Sequence, residues 1–415
     1  MDYPNTVLRG IDMLGFDLTE EQAALQTLAR HFAEREIMPV AAEPDRMDVH
    51  ESFPWDIVRK GSKLGLRTMA LPPEWGGQGI DLLTQAIMID QLAYADMSCS
   101  KMFSQCWKVS RHLSMAATED QKRRYIPPFV EDDTFVLGQA ITEPDSGSDN
   151  SGYYETPPGE GLALRAERRG DHFVLNGMKH MIANGPVAKL FIVTARTDPN
   201  ANQADGVSRF IVPKDTPGFS IGRIHDKVGF RAYPNAELFF ENVRIPVEDL
   251  LGGKEGRDSE EWYMRTVSNI ELSAHTLGVA RAALDAAVRF ANERRQGGKT
   301  IIMHQAVQNT LAELYIALEA GRTLLWRTAW TTTHHDEPNS LLASACKAFC
   351  ADAARKITLG AMDLFGGAGV MRDLPMEKYV RDSLVMLHHA GGTQSIVHLK
   401  IGKALEARYQ AGLGV

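Results

Sequence analysis

Cysteine is scarce in this chain. Four thiols in 415 residues, Cys99, Cys106, Cys346 and Cys350, match neither a zinc spacing nor a disulfide framework. Cys346 and Cys350 stand four apart on an alanine-rich stretch, where a helix could bring them together, but small core residues is the better reading. Basic charge is also short: 45 Lys and Arg against 53 Asp and Glu leave a net charge of −8. That balance argues against nucleic acid or an anionic membrane surface as the main partner. No apolar run approaches the ~20 residues needed to span a bilayer. The start, Met1-Asp2-Tyr3-Pro4-Asn5, resembles neither a signal peptide nor an arginine-rich transit segment, so a cytoplasmic protein is expected. Internal repeats and low-complexity segments are lacking, and no metal is expected.

The hydrophobic (44%) and charged (24%) contents are those of a globular protein, and the length allows two or three domains. Texture divides the chain into 1–134, 135–252 and 253–415. The first part is helical. Thr19-Glu20-Glu21-Gln22 reads as an N-cap with an acidic first turn, and Leu25, Leu28, Phe32 and Ile37 follow at roughly helical spacing until Pro39. A second helix runs from Pro54 to Lys63. Pro72 to Gly79 is a loop by its Pro and Gly density. Helices over Leu83–Tyr94 and Lys101–Met115 come next, with a Met and Ile stripe that reads as core. In the second part, short β-branched runs at 172–175, 190–194, 208–212 and 237–240 alternate with turn residues, as in a small barrel or sandwich. Asn150 to Leu162 reads as a loop insertion. In the third part, long alanine-rich helices at 260–295, 305–333, 341–364 and 395–409 have the short joins of a bundle.

The stretch from Gln139 to Asp149 is the first candidate site. Pro144 forbids helix and pushes Glu143 toward an extended conformation. Gly147, between Ser146 and Ser148, permits a tight turn that offers N–H groups beside the Thr142, Ser146 and Ser148 hydroxyls. Taken alone, these residues read as an ordinary polar turn. Asn176-Gly177 and Asn184-Gly185 read as tight turns around one strand. The pairs Gly366-Gly367 and Gly391-Gly392 either let a ligand approach the backbone or simply end helices.

The motif T-E-P-D-S-G-S-D at 142–149 resembles the signature loop of the acyl-CoA dehydrogenase family. The likeness extends along nearly the whole chain: P-x-x-W-G-G-x-G at 72–79, T-E-D-Q-K-R-R-Y-I-P at 118–127, Arg294 with Gln305, F-G-G at 365–367, Arg381-Asp382 and G-G-T-Q at 391–394. The resemblance implies an α+β fold, with an N-terminal all-α domain, a middle β-barrel and a C-terminal four-helix bundle. It implies FAD, with Gln139, Ile141, Thr142, Ser148, Met181 and Ala183 near the flavin and Thr393 and Gln394 also meeting it. By the same resemblance Gly366 and Gly367 form an FAD-binding turn, and Arg294 and Gln305 reach the dinucleotide of a neighbouring subunit. Arginine's planar donor fork suits that task. Ser148, Asn269 and Gly392 are assigned to substrate, and Met102, Phe103 and Trp107 are candidates for the acyl pocket. The implied reaction is α,β-dehydrogenation of an acyl-CoA: a carboxylate takes the α-proton and the β-hydrogen leaves as hydride to flavin N5. Electrons pass on to an electron-transfer flavoprotein or similar acceptor, and the assembly is a homotetramer.

The chain departs from the family pattern where the chemistry lies. Met181 stands where an aromatic residue is usual, Ala183 replaces a threonine that bonds flavin N5, and Gly297 replaces a phenylalanine. Asn269 replaces an arginine that contacts CoA. The two usual places for the base hold Ser268 and Gly391. Glu271 is the nearest acid, three residues and ~300° along the helix from Ser268, with His275 four further on. Read simply, Glu271 and His275 are an exposed i,i+4 pair. His388 and His389 are alternative bases. The departures leave open an oxidase, reductase or lyase acting on a thioester, or a catalytically silent subunit.

Overall fold

Thr19 closes a capping box with Gln22 and starts helix α1, Glu20–Phe32. The computed structural model describes residues 17–151, 157–203, 205–256, 260–335, 339–389 and 392–414. The stretch Met1–Asn5, Gly391 and part of the 150–162 loop lie outside these. After α1 the chain passes through a π-helical turn at Ala33–Ile37 and a 3-10 turn containing Pro39. The proline cannot continue an α-helix. Short α2, Glu43–Arg46, and α3, Trp55–Lys63, follow.

Asp81 caps α4, Leu82–Ala95, and Asp96 caps α5, Met97–Ala116. A second capping box, Thr118 with Gln121, starts α6, Glu119–Glu131. Most of α4 and the first three turns of α5 are buried, so these two helices form the centre of the molecule. Met102, Phe103, Cys106 and Trp107 point into that core, and Phe103 packs edge-on against Phe32. Buried Arg67 donates to the carbonyls of Phe129, Val130 and Phe135, tying the end of the helical domain to the strand that follows.

The middle domain is a curled seven-stranded sheet: β1 Leu137–Ala140, β2 Arg165–Arg169, β3 His172–Ala183, β4 Leu190–Arg196, β5 Val207–Pro213, β6 Phe219–Ile224 and β7 Asn235–Pro246. Strand order is β1-β4-β2-β3-β7-β6, with β5 on the other side of β4. β4 is buried on both faces, which is why its sequence is apolar without alternation. The Asn176-Gly177 step is a correction to the sequence reading. It lies inside β3 as a bulge opposite β7, not at a turn.

The C-terminal domain is helical: α7 Glu261–Glu293, α8 Gln305–His334, α9 Ser340–Phe365, α10 Met376–Val385 and α11 Gln394–Gln410. A two-stranded hairpin, β8 Arg295–Gln296 and β9 Lys299–Thr300, joins α7 to α8. The long α7 packs on α9 and also on α4 of the N-terminal domain. Gly278 allows the second contact, since a Cβ there would meet Ala93 Cβ at 2.7 Å and Asp90 O at 2.9 Å. Cys346 and Cys350 are buried free thiols on α9, with sulfurs 3.9 Å apart.

Candidate active site

The three domains meet around a cavity of about 930 Å³. Its walls come from the 139–148 loop, the end of β3, the 225–235 segment, one face of α5, the first half of α7 and the 384–392 segment.

The loop holds its shape through its own acids. Glu143 and Ser146 exchange backbone bonds of 2.8 and 3.3 Å. Asp149 accepts from Ser146 Oγ at 2.9 Å and from Gly147 N at 2.6 Å. Glu143 is buried and works as an anchor: its carboxylate accepts from Ala163 N at 2.5 Å, Leu164 N at 3.0 Å and Lys179 Nζ at 2.7 Å. Lys179 Nζ also donates to Ile141 O at 2.8 Å. Burial pushes the Lys179 ammonium down to about 8 despite its carboxylate partner. Sequence reading treated Glu143 only as a residue before proline. Its role arises from contacts 20 and 36 residues away.

At the end of β3 the backbone is bent outward. The pairing with β7 slips between Lys179 and Ile182, and Met181 and Asn184 take φ values of 56°. Such left-handed geometry is costly outside glycine and is held here by neighbours. His180 N donates to Thr142 O at 2.8 Å, Asn235 Nδ2 to Met181 O at 2.7 Å, and Asn184 Nδ2 to Leu137 O at 3.1 Å. The bulge presents Met181, 58% exposed, together with Ala183 to the cavity.

On α7, Met264, Arg265, Ser268, Asn269 and Leu272 line the cavity, and Glu271 does not. Glu271 is fully buried between α4 and α5, accepting from Gln85 Nε2 at 2.7 Å and Lys101 Nζ at 3.0 Å. His275 is buried beside it, its Nε2 2.9 Å from Ser104 Oγ. The two are an interior cluster, not an exposed pair. The 60° that separates positions 268 and 271 around the helix turns Glu271 away from the cavity and into the interhelical seam.

The cavity walls are cationic. Lys101, Lys108, Lys227, Arg209, Arg265 and Lys400 line it. Asp226 is the only carboxylate among the described lining residues, and it is ion-paired with Arg231. Burial lowers Lys108 to about 8, Lys227 to about 7 and Lys400 to about 8. Lys227 Nζ donates to Tyr233 O and to Asn235 Oδ1 at 2.6 Å. Lys108 has no hydrogen-bond or ion-pair partner among the described residues. Burial, reinforced by Lys227 and Lys101, holds His389 well below the usual imidazole range, so it is neutral at pH 7. Its ring packs edge-on against Phe230 and Tyr233. Lys101, Gln105 and Lys108 fall at i, i+4 and i+7 on α5. That polar stripe in a buried helix is a signal the sequence contained, whereas Met102, Phe103 and Trp107, the expected pocket residues, face the core.

Of the expected site residues, the structure brings Gln139, Ile141, Thr142, Ser148, Met181, Ala183, Asn269 and Gly392 to one cavity. Arg294, at the end of α7, and Gln305, at the start of α8, are exposed and outside it, as are Gly366 and Gly367. Thr393 is the N-cap residue of α11 and Gln394 begins it; Gln394 Nε2 donates to Ala348 O at 2.7 Å and its buried Oε1 has no partner among the described residues. At the rim, His180, His225 and Glu237 bring possible ligand atoms within 4.8 Å of one another, the one such group among the described residues.

These features fit a flat dinucleotide. The Thr142 hydroxyl makes no hydrogen bond among the described residues, and nothing lies within 4 Å of a Cβ built on Gly147, Gly366 or Gly367. Residues 19–133, 138–243 and 266–406 match the N-terminal, middle and C-terminal domains of acyl-CoA dehydrogenase. The short-chain specific acyl-CoA dehydrogenase of Clostridium acetobutylicum is 33% identical over 92% of this chain and 97% of its own. The butyryl-CoA dehydrogenase structure from Megasphaera elsdenii is 29% identical, covers 95% of this chain and 100% of its own, and superposes with a TM-score of 0.86. A glutaryl-CoA dehydrogenase from Mycobacterium smegmatis in complex with FADH2 is 25% identical over 94% of this chain and 95% of its own, with a TM-score of 0.83. With three domains in order around a cavity that fits the flavin, this chain belongs to the acyl-CoA dehydrogenase family, and is an FAD-dependent oxidoreductase.

Proposed function

We propose that the chain catalyses α,β-dehydrogenation of an acyl-CoA thioester with His389 as the proton acceptor. The observation that supports this reading is the cavity itself, where the signature loop and Met181 line the same space as Ser268, Asn269 and Gly392. FAD, when bound, supplies the two-electron acceptor. Thr142, Ser148, Met181 and Ala183 orient it, and Asn269 and Gly392 position the thioester. Loss of the α-proton leaves an enolate, and the cationic walls favour that anion. They also keep His389 neutral and so able to accept a proton, while making it a weaker base than the usual carboxylate. Glu271 serves as counter-ion to Lys101 and not as the base.

The absence of a free carboxylate among the described lining residues also supports a second reading, a lyase or other chemistry on a thioester that needs no α-proton removal. Anaerobic stopped-flow mixing of the FAD-loaded protein with an acyl-CoA panel separates the two. The expected result is bleaching of the flavin band, slowed ~10²–10⁴-fold in His389→Asn. No bleaching with any thioester ends the dehydrogenation reading, and an unslowed His389→Asn variant ends the assignment of the base.

We further propose a homotetramer whose electrons pass to an electron-transfer flavoprotein or similar acceptor. Large apolar side chains stand exposed on the C-terminal domain, among them Met303, Tyr315, Ile316, Leu359, Val370 and Met371, which suits burial against a second copy. Arg294 and Gln305, outside this chain's own cavity, are then free to serve a neighbour's cofactor. Light scattering should give four times the 45.9 kDa of one chain; a monomer would refute the assembly.

A further inference from the structure

The cationic stripe on α5 has a use that the dehydrogenation chemistry does not require. An acyl pocket for a plain hydrocarbon chain gains from apolar walls, because a desolvated ammonium costs free energy with nothing to offset it. Here α5 turns Lys101, Gln105 and Lys108 toward the cavity, while its apolar residues Met102, Phe103 and Trp107 face the core. Lys101 is 3% exposed and its charge is answered by Glu271 at 3.0 Å. Lys108 is within electrostatic reach of both, and no other acid among the described residues answers it. Tyr233 adds a second unmet group: it is fully buried, lines the same cavity, and its hydroxyl has no hydrogen-bond partner among the described residues. A half-buried ammonium with no hydrogen-bond or ion-pair partner among the described residues and a buried phenol without an acceptor are complementary to one kind of ligand atom, an anionic oxygen.

We infer that the acyl group taken by this cavity ends in an anion, as in the mono-CoA thioester of a short dicarboxylic acid, with Lys108 as its counter-ion and Tyr233 as a hydrogen-bond donor. The inference rests on reading the cavity as the acyl-thioester site. CoA's own phosphates are the competing source of negative charge, and the experiment separates them.

Binding to the FAD-loaded protein is measured by calorimetry, independently of turnover, for length-matched pairs: succinyl-CoA with butanoyl-CoA, and glutaryl-CoA with pentanoyl-CoA. A charge-assisted contact of this kind gives the acid-ended member of at least one pair about 10–100-fold tighter binding. Lys108→Met abolishes that preference and Lys108→Arg retains it. Equal or tighter binding of both neutral members overturns the inference. So does an equal loss of affinity for free CoA in Lys108→Met, which would place Lys108 on the phosphates. If Lys108→Met fails to retain FAD, the wild-type pairs decide alone. Preferred binding of an acid-ended thioester without flavin bleaching leaves this inference standing while ending the dehydrogenation reading. Bleaching by neutral thioesters bound as tightly as the acids does the reverse.

Discussion

In a His389→Asn background, Ser268→Glu should restore flavin reduction by acyl-CoA by about 10²–10⁴-fold, the usual worth of a positioned general base. Ser268 lines the cavity on α7, and the lysines and Arg265 around it keep a new carboxylate ionised. The wild-type background should gain as well, since His389 is a weakened base in a cationic setting. Glu271→Gln is the informative contrast. Gln85 and Lys101 hold that side chain in the helical seam, so its loss should act through the buried Lys101 charge and lower thermal stability. Stopped-flow traces and melting curves on the same preparations check both claims. A Glu271→Gln variant that keeps its stability but loses flavin reduction by 10²-fold or more would return the base to Glu271.

Glu143→Gln should cost about 3–5 kcal/mol, because it leaves the Lys179 ammonium buried without its carboxylate. The loss falls on the loop under the flavin, since Glu143 also fixes Ala163 and Leu164 just before β2. Denaturant unfolding of the FAD-loaded protein measures it, and FAD affinity should fall in parallel. Adding Lys179→Met should recover much of the loss, because a neutral pair needs no counter-charge. The cost should also shrink as pH rises. Lys179 titrates at about 8 in the fold against ~10.4 in the unfolded chain. Between those values the unfolded chain binds the extra proton, so this site's contribution to stability increases with pH. The variant, deprived of the carboxylate, sheds its proton earlier still. A penalty at pH 9.5 equal to that at pH 7 would show that Lys179 keeps its proton, and that Glu143 matters only through its backbone contacts.

Caps and periodicity were local enough to read directly. Thr19 and Thr118 start helices where their side chains reach N–H groups three residues away, and the four long C-terminal helices begin and end within two residues of the alanine-rich stretches. The signature loop, the Met181 strand and Gly392 were legible for another reason: their order along the chain matches a family. Tertiary structure decided what depends on direction around a helix and on contacts between distant segments. Sequence spacing put Glu271 beside Ser268, but only the packing of α7 against α4 and α5 shows that 60° of rotation moves one into the seam and leaves the other in the cavity. Phe103 and Trp107 stood as pocket candidates, while the docking of α5 turned them into the core and brought the opposite face, Lys101, Gln105 and Lys108, to the cavity. The Asn176-Gly177 step reads as a turn until β7 is found paired across it as a bulge. In each case the local sequence fixes which groups a segment carries. Which of them meet a ligand is set by neighbours tens to hundreds of residues away, whose burial free energy exceeds any local preference.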